Sequence, residues 1–198
     1  MHSRRTFLAA TSALLAAPIM ARAADPDPRL APRTEGSATA KNVVEEWFSF
    51  TCPHCARFAS ETYPEVKSKL IDTGKLRWVF REYTRNKLDM AAGLVARSLP
   101  PSRYLPFVDA LFASQAQWAF NQQADPMDEL AKMAALAGMP RDLFNKVTND
   151  EGLRTAMLAA QTEAEQKYNI DSTPTFIING KAQAGEMPYD RFAALMTT

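Results

Sequence analysis

Two cysteines in 198 residues are too few for a framework of structural disulfides. Histidine is equally scarce, with two residues. Cys52, Cys55 and His54 cannot close a four-ligand zinc site without a second chain, so no metal site is expected. No sign of charge prevails: 23 basic residues face 22 acidic ones, a formal net charge of +1. That balance removes the electrostatic case for nucleic acid as a partner. The seven glycines form no phosphate-cradling loop, and no cofactor is implied. The nine methionines are scattered, several at helical core spacing, which argues for packing rather than copper ligation. The apolar run from Phe7 to Met20 is 14 residues long, short of the roughly 20 needed to span a bilayer.

That run is preceded by Arg4-Arg5 and followed by Ala21-Arg22-Ala23. Paired arginines, a short apolar stretch and small residues at a cleavage point are the layout of an export signal over 1–23, by the twin-arginine route. Cleavage after Ala23 would remove three arginines and no acidic residue, turning the formal charge from +1 to −2. The expected destination is the periplasm, an oxidising compartment. Residues 24–40 hold Pro26, Pro28, Pro32 and Gly36, and read as an extended, poorly ordered lead-in.

The rest, 41–198, reads as one domain. Lys41 to Phe50 is an apolar strand of the kind buried on both faces. Pro53 to Ile71 is a helix that Pro64 should kink, ended by Gly74. Lys75 to Tyr83 is a second strand. A strandless helical block covers about 86–168, with a break expected at Pro106 or near Ser114, and with Asp125-Pro126 opening one of its helices. Thr175 to Ile178 is a strand, Asn179-Gly180 a hairpin turn, and Lys181 to Ala184 the returning strand before a last helix over Pro188 to Met196.

Cys52-Pro53-His54-Cys55 stands where the first strand gives way to the helix. A C-x-x-C at such a junction is a redox site in thioredoxin-like proteins. Cys52 would sit at the helix start, where unpaired amides and the helix dipole favour a thiolate. Cys55, one turn on, would be more buried and less acidic. His54 would help hold the thiolate, and Pro53 shapes the helix start. Of the two acids in the first strand, alternation puts Glu46 with Val44 and Phe48, and Glu45 with Val43 and Trp47. At least one of them is expected below the motif, as a carboxylate able to accept a proton during exchange.

FSFTCPHC at Phe48 to Cys55, DTGKLRWVFREY at Asp72 to Tyr83 and STPTFIINGK at Ser172 to Lys181 resemble the DsbA-like branch of the thioredoxin superfamily. The resemblance covers about Asn42 to Leu195. It implies an α/β thioredoxin-like fold with a helical insertion between the second strand and the cis-proline strand. It also implies that Pro174 is cis and faces the cysteines, that Thr173 bears on partner choice, and that Glu46 is the family's buried acid. A strongly acidic first cysteine is a property of that family. If Cys52 had a pKa of about 4 rather than about 8.5, the reduced form would gain roughly 4 kcal/mol at pH 7, or on the order of 90 mV. The implied activity is thiol:disulfide oxidoreduction. Cys52–Cys55 would be donated to reduced, unfolded client proteins through a mixed disulfide at Cys52, with a DsbB-like quinone-linked membrane protein as reoxidant and a monomer as the working form. A reductase or isomerase role uses the same chemistry. A Cu(I)-binding chaperone using the reduced thiols belongs to another class. One departure from the family is Thr84, where proline often follows the second strand.

Overall fold

A computed structural model describes residues 27–196. The expected export signal, and the first residues of the lead-in, lie outside the described residues. The remainder of the lead-in is a 3-10 turn, Pro28–Leu30, and a short strand β1, Arg33–Glu35. It is ordered, contrary to the expectation from its prolines. The Arg97 guanidinium donates to the Ala31 carbonyl at 2.9 Å, and β1 adds an antiparallel edge to the sheet. Both anchors lie far along the chain, so local composition carries no sign of them.

Strand β2, Asn42–Phe48, leads into a turn that starts at Ser49, one or two residues before the apolar run ends. A continuous helical rod over 53–71 follows. It comprises α1 (Pro53–Arg57), a π turn (Phe58–Thr62), α2 (Tyr63–Val66) and a second π turn (Lys67–Ile71). The expected irregularity at Pro64 takes this form. Proline has no N–H for the carbonyl one turn back, and Tyr63 N–H reaches instead to Phe58. Strand β3 is Leu76–Glu82.

The insertion consists of α3 (Lys87–Ser98), α4 (Pro101–Ala113), α5 (Gln115–Trp118), α6 (Pro126–Leu136), α7 (Arg141–Thr148) and α8 (Glu151–Tyr168). Pro106 does not break α4; the chain breaks at Ser114. Pro106 and Ser102, whose carbonyl it leaves without a partner, both face solvent near the helix start, where water can serve that carbonyl. Strands β4 (Thr175–Ile178) and β5 (Lys181–Ala184) flank Asn179-Gly180, both at positive φ (50° and 77°), as a tight hairpin turn requires. Helix α9, Tyr189–Ala194, closes the domain.

The five strands lie in the order β1-β3-β2-β4-β5, with β2 and β3 parallel and the other pairs antiparallel. This is the α/β thioredoxin-like arrangement, with the insertion between β3 and β4. One face of the sheet carries Val44, Phe48, Trp78 and Phe176, packed on Phe58 from the rod and Phe192 from α9. Trp47 lies on the opposite face with Ala164, Ile170 and Ile177. Alternation therefore sorts β2 as expected. Glu46, 4% exposed, lies under the motif, whereas Glu45 is half-buried and accepts from Arg81 Nε at 3.1 Å.

A buried polar triad joins sheet and insertion. Arg97 pairs with Glu82 at 2.6 Å, and the Tyr104 hydroxyl donates to the same carboxylate at 2.5 Å. Thr84 also has a use that proline would forfeit: its N–H and hydroxyl both donate to Gln161 Oε1, each at 2.8 Å.

Candidate active site

Cys52 caps the helical rod in an extended conformation, with Pro53 at the first helical position. Proline spends no donor there, and its fixed φ suits a helix start. The N–H groups of His54 and Cys55 are left directed at the Cys52 sulfur, and both favour its thiolate. Both cysteines are free thiols, and exposure barely separates them: 1% for Cys52 and 0% for Cys55. Their surroundings do separate them. The Cys52 thiol is pulled down to about 5, chiefly because the Cys55 thiol donates to it. Cys55 goes the other way, pushed far up by burial, by its hydrogen bond to Cys52 and by the charges of Cys52 and Glu46.

Thr173-Pro174 is a cis peptide, as the resemblance implied, and it faces the motif. The Cys52 Sγ–H donates to the Thr173 carbonyl at 3.3 Å. The Thr173 hydroxyl is buried, has no hydrogen-bond partner among the described residues, and also favours ionised Cys52. It is the donor available to the sulfur once the thiol proton has gone.

Below the cysteines, burial pushes the Glu46 carboxyl up to about 8, partly offset by a hydrogen bond from Trp78 Nε1 at 3.2 Å. It is therefore mostly protonated at neutral pH, placed to donate a proton and not, as the sequence led us to expect, to accept one. Its effect on Cys55 puts the two within electrostatic reach.

His54 differs from expectation. Its backbone serves Cys52, but its ring is turned outward to a surface cluster. His54 Nδ1 lies 2.7 Å from Arg57 Nη2 and 3.1 Å from Glu186 Oε1, and Arg57 also pairs with Glu186 at 2.6 Å. Arg57 holds the Glu186 carboxyl below the usual range. Cys52 and Cys55 are buried, and the His54 ring points away from them. Among the described residues there is no group of three or more His, Cys, Asp or Glu placed to hold one.

Sequence reasoning missed three residues here: Glu186, Asp89 and Gln115. Asp89 stands three residues after Asn86, the N-cap of α3. That spacing marks a helix start, but it gives no hint that the Asp89 carboxylate serves the motif turn, accepting from Ser49 Oγ and Thr51 N–H. Nothing local marks Gln115 or Glu186.

Fold and site together define a thioredoxin-type dithiol protein with a helical insertion. The chain belongs to the thioredoxin family, whose sequence model matches residues 30–197. Within that family it is similar to DsbA-like thiol:disulfide oxidoreductases. The crystal structure of α-DsbA1 from Wolbachia pipientis superposes with a TM-score of 0.76 at 26% identity, covering 87% of this chain and 91% of that one. Disulfide bond formation protein D of Bacillus subtilis is 26% identical over 78% of this chain and 71% of its own. A Rickettsia bellii protein named provisionally as a protein-disulfide oxidoreductase is 31% identical over 73% of this chain. The chain spans little more than half (56%) of that relative's length.

Proposed function

We propose that this protein is an exported thiol:disulfide oxidoreductase that donates its Cys52–Cys55 disulfide to reduced client proteins. The observation that carries the reading is the setting of Cys52, at the start of the rod and against the Thr173-Pro174 cis peptide, where the Cys55 thiol and the surrounding donors hold its thiol down to about 5. A thiolate that stable is a good leaving group and makes the dithiol the favoured state. Taken against an ordinary thiol at about 9, ionisation would stabilise the reduced form by about 3 kcal/mol at pH 7, on the order of 60 mV.

The reaction proceeds in two exchanges. A client thiolate attacks Cys52 Sγ of the oxidised protein. The S–S bond breaks, and Cys55 leaves with the electron pair. Cys55 is a poor thiolate in its buried setting, so it takes the proton that Glu46 holds at neutral pH. A second client thiolate then attacks the client sulfur of the mixed disulfide, and Cys52 departs as its stabilised thiolate. The client loses two electrons and the protein becomes a dithiol. Thr173 and Pro174 line the approach to Cys52 and contact the incoming client. A quinone-linked membrane protein of the DsbB type returns the dithiol to the disulfide. The chain works as a monomer in the periplasm, delivered by the twin-arginine signal at 1–23.

The test is exchange with a disulfide-linked peptide, whose S–S bond supplies the oxidising equivalent that a variant with a single cysteine lacks; the attacked sulfur is captured and the other leaves as a thiol. Cys55→Ser should accumulate a mixed disulfide at Cys52, and Cys52→Ser should accumulate none. Trapping at residue 55 instead would reverse the assignment of nucleophile and resolving thiol.

A further inference from the structure

The turn that delivers the nucleophile, Ser49 to Cys52, is held from outside at every residue. Ser49 Oγ donates to Asp89 Oδ2 at 2.9 Å, and Thr51 N–H donates to Asp89 Oδ1 at 2.8 Å. Asn86 Nδ2 donates to Thr51 Oγ1 at 2.9 Å. Gln115 Nε2 donates to two carbonyls, Phe50 O at 2.8 Å and Cys52 O at 3.1 Å. All three holders come from the helical insertion: Asn86 caps α3, Asp89 lies in its first turn, and Gln115 opens α5 just past the break at Ser114. Asp89 is 1% exposed and Gln115 7%. Hydrogen bonds so far out of water are strong, and costly to leave half-made.

We propose that Gln115 and Asp89 are positioning residues for Cys52, and that the helical insertion uses them to set the redox equilibrium of the motif. The argument is a difference between two states. In the disulfide, the covalent ring from Cys52 to Cys55 itself fixes the start of the rod. In the dithiol nothing covalent does so, yet the thiolate depends on its sulfur staying in place against the Cys55 thiol, the Thr173 hydroxyl and the N–H groups of Cys55 and His54. A clamp on residues 49–52 is therefore redundant in the oxidised form and needed in the reduced one. Loosening it costs the reduced form more, and the couple becomes less oxidising. The inference rests on the proposed function only in taking Cys52 as the thiolate.

Gln115→Met keeps the volume and removes both donors. Ser49→Ala removes one arm of the Asp89 contact and leaves the other; Asp89→Asn is less clean, because it alters both arms and the contact with Arg85 N–H at once. The readouts are the equilibrium with glutathione and the titration of Cys52 followed by thiolate absorbance. Gln115→Met should lower the equilibrium constant for the dithiol by about tenfold, equivalent to about 30 mV for a two-electron couple, and move the Cys52 titration to higher pH. Ser49→Ala should move both in the same direction by about threefold. Gln161→Met removes the insertion's contact with Thr84, away from the turn. It should lower the melting temperature of both redox forms alike and leave the equilibrium within twofold of wild type. If Gln115→Met fails to fold, Ser49→Ala decides. Equilibria within twofold of wild type for the turn variants, with equal loss of stability in both redox forms, would overturn the inference. The wild-type equilibrium tests the proposed function separately, since only the ratio of variant to wild type bears on the clamp.

Discussion

Replacing Glu46 by glutamine separates two consequences of one buried carboxyl. Glu46 is held at about 8 by burial against 4.5 for an exposed glutamate. The folded protein therefore binds a proton that the unfolded chain releases. The associated stability is fully present below about pH 4.5 and is lost as pH rises through 8. By that linkage the loss reaches about 3 kcal/mol at pH 7 and about 5 kcal/mol above pH 8. Glu46→Gln cannot ionise, so in the oxidised protein, where Cys52 does not titrate, this slope should vanish from urea denaturation curves collected between pH 4.5 and 9. The second consequence is kinetic. The variant cannot hand a proton to departing Cys55, and general acids contribute about 100-fold or more. Reduction of the oxidised protein by glutathione, quenched by alkylation, should be slower by about that factor at pH 7. The difference should close above pH 8, where the wild-type carboxyl has lost its proton. A variant within threefold of wild type, with an unchanged pH profile, would refute proton transfer by Glu46. Loss of the stability slope alone would leave Glu46 a buried acid without a catalytic part.

Two further outcomes follow from the same physics. Cys52 is depressed to about 5, so its contribution to the reduced protein is fully present above the ordinary thiol value and lost as pH falls through 5. The stability gap between reduced and oxidised forms should shrink by about 3 kcal/mol between pH 7 and pH 4, and denaturation of both forms across that range checks it; Glu46 affects both forms and cancels in the gap. Arg97→Met should destabilise the protein by about 3–5 kcal/mol, because it leaves Glu82 charged and unpaired beneath Tyr104; thermal denaturation would show this, and a change below about 1 kcal/mol would mean that Glu82 regains a partner.

The residues legible in the sequence share one property: their partners are close along the chain. Cys52 and Cys55 sit three apart, Asn179-Gly180 defines its own turn, and the alternation of β2 parted Glu46 from Glu45, although only the resemblance named Glu46 as the buried acid. Pro174 was legible only through resemblance, since no local pattern distinguishes a cis proline. The clamp was not legible, because Asp89 and Gln115 reach the motif turn across 38 to 65 residues. Glu186 reaches His54 across 132. The strand β1 was missed for the same reason. Arg33-Thr34-Glu35 carries no apolar pattern, and its place is fixed by pairing with β3 and by Arg97. Of the two breaks offered for α4, Ser114 is the real one and Pro106 is not, because a proline's cost depends on whether water can reach the carbonyl it abandons.

The central claim is that the motif is poised to give its disulfide away. The most direct measurement is the equilibrium of the purified protein with reduced and oxidised glutathione at pH 7, read by trapping free thiols. The account predicts an equilibrium far on the dithiol side, with the protein's disulfide readily oxidising glutathione. A disulfide that persists in millimolar reduced glutathione would contradict it, and would make the motif a reductant or a structural bridge.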